Sequence, residues 1–169
     1  MRLRDDDLDT YLASVADLLD RYGVELDLVG RDLGIEQTRD SARTFDLRGF
    51  LPDAGSSTRA ILEIRETWLA DDAGTFERAE YAYELLDSGR AFRRAFHLHA
   101  PDWFERHFMV LVHEHCERPI GTFDCQHYEG SPLRDAFAGV LALIDAWTDE
   151  PPDCDRLRCL EPGVRRPGW

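Results

Sequence analysis

The sequence predicts an α+β fold: an antiparallel β-meander of three or four strands covered by a C-terminal helix, with a helical N-terminal part. Three observations carry this. Apolar residues recur at helical spacing near both ends of the chain, in 5–22 and 131–150. Between them the spacing changes to alternation of apolar and polar residues. Turn-like separators, "ADDAGT", "DSGR" and "APDW", cut the alternating region into strand-length pieces.

The first element is the segment "DDDLDTYLASVADLLDRY". Leu8, Leu12, Val15, Leu18 and Leu19 form one helical face, the aspartates crowd the end where the helix dipole favours them, and Gly23 is a natural stop. The stretch "LVGRDLGIEQTRDSARTF" superficially resembles a helix-turn-helix, but its acidic surroundings oppose DNA binding, and a short helix and loop is expected. "LPDAGSS", with its Pro, Gly and Ser, is the best internal linker. It divides an acidic helical part, 1–58, from an α+β body, 59–150, and a coil-rich tail follows over 151–169.

In the body, "RAILEIRETWLA" and "TFERAEYAYELLD" are expected as strands. "RAFRRAFHLHA" alternates cleanly, with Phe92, Arg94, Phe96 and Leu98 on one face and Arg93, Ala95, His97 and His99 on the other. "ERHFMVLVHEHC" is rich in β-branched and aromatic residues. These make the meander over 76–116. The final helix is "SPLRDAFAGVLALIDAWTDE", with Ser131 as cap, Pro132 at the first position and Asp135 in the first turn. Leu133, Phe137, Val140, Leu141, Ile144 and Trp147 form its apolar stripe, with Phe137, Leu141 and Ile144 expected to pack on the sheet.

With 169 residues and 43% hydrophobic content, the chain is long enough to bury a core without disulfides. No apolar run approaches a membrane span, and "MRLRDDDLDT" lacks the apolar region of a signal peptide, so a cytoplasmic location is expected. All 20 basic residues are arginine, and the net charge is −14. Residues 1–90 carry 11 Arg against 21 Asp and Glu, a net of −10; residues 91–169 carry 9 against 13, a net of −4. Such a surface repels nucleic acid, so residues 1–60 are expected to show no nonspecific binding, and the acidic half is a candidate surface for a protein partner. Cys116, Cys125, Cys154 and Cys159 are expected as reduced thiols or metal ligands rather than a disulfide framework.

Every histidine falls between positions 97 and 127. His113 and His115 are two apart on a predicted strand and so project from one face. The chain then turns back through "CERPIG" and returns Cys125 and His127, also two apart. His113, His115, Cys125 and His127, with Cys116 in reserve, offer the nitrogen and sulfur donors taken by zinc or a similar divalent transition metal. Glu114 should face away from these histidines, which leaves Glu117 as the acid placed for a general base or for orienting a ligand. His97, His99 and His107 form a secondary group. His113 lies six residues beyond His107, roughly 20 Å along a strand, so His97 and His113 are not expected to share an ion. Arg93, Arg94, Arg106 and Arg118 lie near these histidines, and Arg94 and Arg118 are the candidates for neutralising a substrate anion.

The segment running from "RRAFHLHAPDWF" through "VHEHCERPIG" to "HYEG" resembles a small prokaryotic family of unknown function. The resemblance implies that 91–148 form one unit and implies no activity. The chain has no G-x-S-x-G, P-loop or H-E-x-x-H signature, and no lysine for a Schiff base. The leading expectation is a His/Cys metal-binding protein acting as a metal-dependent hydrolase on a phosphate ester. The alternatives are a metal-free ribonuclease of the small toxin type, using histidine acid and base, and a non-enzymatic acidic interaction module or accessory subunit.

Overall fold

The computed structural model describes residues 1–27, 36–39, 41–52, 59–99, 111–120, 127–148 and 157, with 36–39 described in backbone only. Nine antiparallel strands form one sheet among these residues, more than the three or four expected. They are β1 (Arg2–Arg4), β2 (Glu25–Leu26), β3 (Glu36–Arg39), β4 (Ala42–Phe50), β5 (Ile61–Ala70), β6 (Thr75–Asp87), β7 (Phe92–Leu98), β8 (Val112–Glu117) and β9 (Tyr128–Glu129). The helices are α1 (Asp5–Arg21) and α2 (Ala136–Thr148). The main path runs β2-β4-β5-β6-β7-β8-β9, with β1 on β6 and β3 on β4. No helix among the described residues is long and apolar enough to cross a membrane.

The helix α1 forms where its spacing predicts. Asp5, Asp6 and Asp7 occupy its first turn, and Leu8, Leu12, Val15, Leu18 and Leu19 are buried together with Tyr11. Gly23 ends it with a φ of 69°, a left-handed conformation that glycine adopts without a Cβ penalty.

Where it is described, the segment expected as a short helix and loop supplies β3 and the first residues of β4; residues 28–35 and Asp40 lie outside the described residues. Phe45, Leu47 and Gly49 of β4 face the core while Thr44, Asp46 and Arg48 face outward. This strand pairs with β5 along its whole length, from Ala42↔Leu69 to Phe50↔Ile61. Cross-strand partners, not local propensity, fix such a strand. One sheet therefore runs on both sides of position 58. The linker residues 53–58, and the tail apart from Leu157, lie outside the described residues.

Both helices cover one face of the sheet. Tyr11 meets Phe45, Trp68 and Phe137, and one core cluster joins α1, α2 and residues of β4 through β7. A β-bulge in β6 shapes this core. The pairing Thr67↔Glu80 is followed by Trp68↔Arg78, so one extra residue flips the faces of β6. Tyr81, Tyr83 and Leu85 face inward above the bulge, and Phe76 and Arg78 face inward below it.

α2 begins five residues later than Ser131. The Asp135 carboxylate accepts a bond from the Ala138 N–H at 2.9 Å, so Asp135 provides the cap. The preceding backbone is fixed by the sheet: the Leu133 N–H donates to the Tyr81 hydroxyl, and the Ala136 N–H to the Tyr11 hydroxyl. Of the three residues expected to pack α2 on the sheet, Ile144 is buried, Phe137 is half-buried and Leu141 is 39% exposed. The buried face is Ala136, Gly139, Val140, Leu143 and Ile144. Leu141 sits a helical step of about 100° from Val140 and points off that face.

Candidate metal centre

The described histidines occupy the sheet face opposite the helices. On β8, His113, His115 and Glu117 alternate with Val112, Glu114 and Cys116. On β7, Arg93, Ala95 and His97 share a face with them, because the register pairs His97 with His113, Ala95 with His115 and Arg93 with Glu117. This overturns the expectation that His97 and His113 lie too far apart for one ion. That expectation took "APDW" as a tight turn that brings His107 beside the end of β7, on a face that depends on the loop length. β7 ends at Leu98 and β8 begins at Val112, so the connection is longer and the register moves.

Three ring nitrogens converge as a result. His97 Nδ1 lies 3.1 Å from His113 Nε2, which lies 3.1 Å from His115 Nε2. All three residues are buried, and each offers one nitrogen to a common point. Two more imidazoles flank the group. The His127 ring centroid is 4.4 Å from that of His115 and 5.3 Å from that of His113; the His99 ring stacks on His113 at 5.3 Å.

Carboxylates stand behind two of the three. His97 Nε2 is 2.9 Å from Glu84 Oε1, and His115 Nδ1 is 3.4 Å from Glu117 Oε1. A carboxylate can only accept, so it draws the ring proton to the nitrogen it faces. In the neutral rings that proton sits on Nε2 of His97 and Nδ1 of His115, and the inward nitrogens then present lone pairs. The bond to His97 and the nearby Arg93 hold the Glu84 carboxyl at about 2, well below the usual range, against the opposing effect of its burial. Imidazoles oriented by carboxylates in this way are a common arrangement behind metal ions.

Burial, reinforced by neighbouring rings, lowers His113 to about 2. Burial, followed by Arg93, lowers His115 to about 3. Burial also lowers His99 and His127. For His113 and His115 the neutral, ligating form is thus the one the fold holds. The sign of the linkage follows. Between the ordinary histidine value of 6.5 and about 3, the unfolded chain binds more protons than the folded one, so stability rises with pH in that window. Metal-free protein should therefore lose stability as the pH falls from about 6.5 to about 3. Chemical denaturation at stepped pH checks this, and His113→Gln should flatten the slope.

The other sequence-derived candidates are placed as follows. Glu117 is on the histidine face, 2.9 Å from Arg93. Glu114 does face away, as expected, and pairs with Arg94. Arg94 therefore lies on the face opposite the histidines, and Arg93 is the guanidinium beside them. Arg118 follows the last residue of β8 and is half-buried. Cys116 is disulfide-bonded, not a reduced thiol, and its side of β8 is the opposite one, so it supplies no thiolate to the site. Cys125 and His107 lie outside the described residues, as do Cys154 and Cys159.

No family model matches the chain, and no curated protein or solved structure matches it. The convergence of His97, His113 and His115 is the feature on which a functional reading stands. The sequence shows both His-x-His pairs, but joining them requires the β7–β8 register. Glu84 depends on a different pairing: it becomes a neighbour of His97 only once the β6–β7 register sets Ala82 opposite that histidine.

Proposed function

We propose that this protein binds one divalent transition metal ion through His97, His113 and His115, with zinc or a similar ion as occupant. The observation that carries the reading is the meeting of three buried nitrogens with Glu84 and Glu117 behind two of them. An all-imidazole set suits zinc, copper, nickel or cobalt and does not suit magnesium or calcium, which take oxygen donors. Ring centroids of ligands around a tetrahedral ion with bonds of ~2.0–2.1 Å lie about 5 Å apart. The three rings here are 4.7, 5.1 and 5.0 Å apart.

Three protein nitrogens leave a fourth position for water, the pattern of hydrolytic centres. We therefore propose hydrolysis of a small ester, a phosphate ester among them, as the activity of the loaded protein. A bound ion of this type supplies an acidified water. His97, His113 and His115 would hold the ion, and Glu84 and Glu117 would keep two of these rings in the ligating tautomer.

Elemental analysis of untagged protein tests the reading. About one transition-metal ion per chain is expected, and His113→Ala should weaken zinc binding by more than about 100-fold. Wild-type protein that takes up no zinc, cobalt or copper when dialysed against each ion overturns the metal reading. Ester hydrolysis that survives a chelator after the ion has been removed overturns the hydrolytic one.

A further inference from the structure

Arg93 sits between the two carboxylates that back the histidines. Its side chain extends from the middle strand, β7, onto the histidine face. One arm of the guanidinium, NH2, donates to Glu84 Oε2 on β6 at 3.0 Å. The other arm, NH1, donates to Glu117 Oε1 on β8 at 2.9 Å. Glu84 divides its oxygens: Oε1 accepts from His97 and Oε2 from Arg93. A rigid fork with donors in one plane is suited to holding two acceptors at a fixed separation, which a single ammonium does not do in the same way.

The same NH1 lies 3.3 Å from His115 Nδ1. This is the decisive contact, because two proton arrangements compete there. If Arg93 donates to Nδ1, that nitrogen has no proton, the neutral ring carries it on Nε2, and the inward lone pair is lost. If Glu117 instead accepts the Nδ1–H, Nε2 is left to ligate. Distance does not choose between them: NH1 has a second hydrogen beyond the one it donates to Glu117 at 2.9 Å, and Nδ1 lies 3.3 Å from the guanidinium and 3.4 Å from the Glu117 carboxylate. Charge favours the second arrangement, since the carboxylate that Arg93 holds beside Nδ1 is a strong acceptor for the ring N–H.

We infer that Arg93 is a positioning residue of the metal site: it locks Glu84 and Glu117 together and thereby fixes both His97 and His115 in the tautomers that aim a lone pair at the ion. This rests on the metal reading above, and it adds a residue that touches neither the ion nor a substrate. It also places a cation between the two carboxylates.

The test has two measurements on full-length protein. The first is cobalt(II) binding, followed by the visible absorption of the ion, for wild type, Arg93→Gln and Arg93→Lys. Arg93→Gln should bind cobalt about 10–100-fold more weakly, the usual effect of losing a group that orients ligands, and its absorption band should shift or weaken. Arg93→Lys, which keeps the charge and loses the fork, should fall between the two. Equal affinity for wild type and Arg93→Gln, within about twofold, overturns the inference. The second measurement needs no variant to fold and no metal to bind. Nitrogen–proton correlation spectra of the imidazole rings in metal-free wild type report which nitrogen carries each proton. Protons on His97 Nε2 and His115 Nδ1 support the inference; a proton on His115 Nε2 overturns it. Wild-type protein that binds no cobalt sinks the metal reading alone, and the ring spectra still decide whether Arg93 sets the tautomers.

Discussion

Glu66→Ala is expected to destabilise the protein by about 3–5 kcal/mol, the usual cost of removing one partner of a buried ion pair. Glu66 is wholly buried on β5. Its Oε1 accepts from Arg78 NH1 at 2.9 Å, from the Tyr11 hydroxyl at 3.1 Å and from the Tyr83 hydroxyl; its Oε2 accepts from Trp68 Nε1 at 3.0 Å. Burial pushes the Glu66 carboxyl up, while Arg78 and the hydroxyl bonds pull it down. Alanine at this position orphans four donors at once and leaves the Arg78 side chain, only 6% exposed, with its counter-ion gone. The damage reaches beyond β5. Arg78 also donates to the Leu133 carbonyl and Tyr11 accepts from the Ala136 N–H, so the same cluster fixes the approach to α2. Urea unfolding of the single and double variants checks this. The pair Glu66→Leu with Arg78→Met should lose less than either single change, because it removes both charges together. A single-variant loss below about 1 kcal/mol contradicts the account.

Much of this core was legible from residue spacing. The helical face of α1 and the alternation of β7 are local properties, and the structure has both where the spacing puts them. The bulge in β6 left a trace too: Phe76 and Tyr81 both face inward although five positions apart, which strict alternation forbids. The purpose of that irregularity was not legible. It turns Arg78 inward to meet Glu66, and the two belong to different strands whose pairing is a tertiary fact. β4 was hidden for a similar reason: its inward run is only Phe45, Leu47 and Gly49, and glycine carries no apolar signal.

The candidate site was legible as residue types and not as a set. Alternation puts His113 with His115, and Arg93 with His97, on shared strand faces. Which of these faces meet depends on how many residues join β7 to β8, and a shift of one residue exchanges the faces. Arg94 was expected beside the histidines although the alternation of β7 already puts Arg93, not Arg94, on the face of His97. Cys116, the reserve sulfur ligand, misled by type: sulfur suits zinc, but this residue is on the far face and in a disulfide.

Gly139→Val is expected to cost about 3 kcal/mol or more, above the usual range for overpacking, and Gly139→Ala about 1–3 kcal/mol. Gly139 is where α2 crosses the ring of Tyr83. A Cβ built there would lie 2.7 Å from Tyr83 Cε2 and 2.8 Å from Cγ, closer than carbon atoms approach. The ring has nowhere to go. It is fully buried, stacks on Tyr81 with centroids 4.6 Å apart, and its hydroxyl is bonded to Glu66 and Arg78. The helix must therefore lift, which opens gaps around Val140 and Leu143, both wholly buried. The alanine variant is the sharper test because two effects oppose each other. Helix propensity alone makes Gly→Ala in a helix interior favourable by about 0.8–1 kcal/mol. The contact with Tyr83 makes it unfavourable by more, so the net sign is destabilising. Thermal and urea unfolding of Gly139→Ala read that sign directly: a stabilised variant would show that α2 can rise off Tyr83 without cost, and that glycine is not required for this packing.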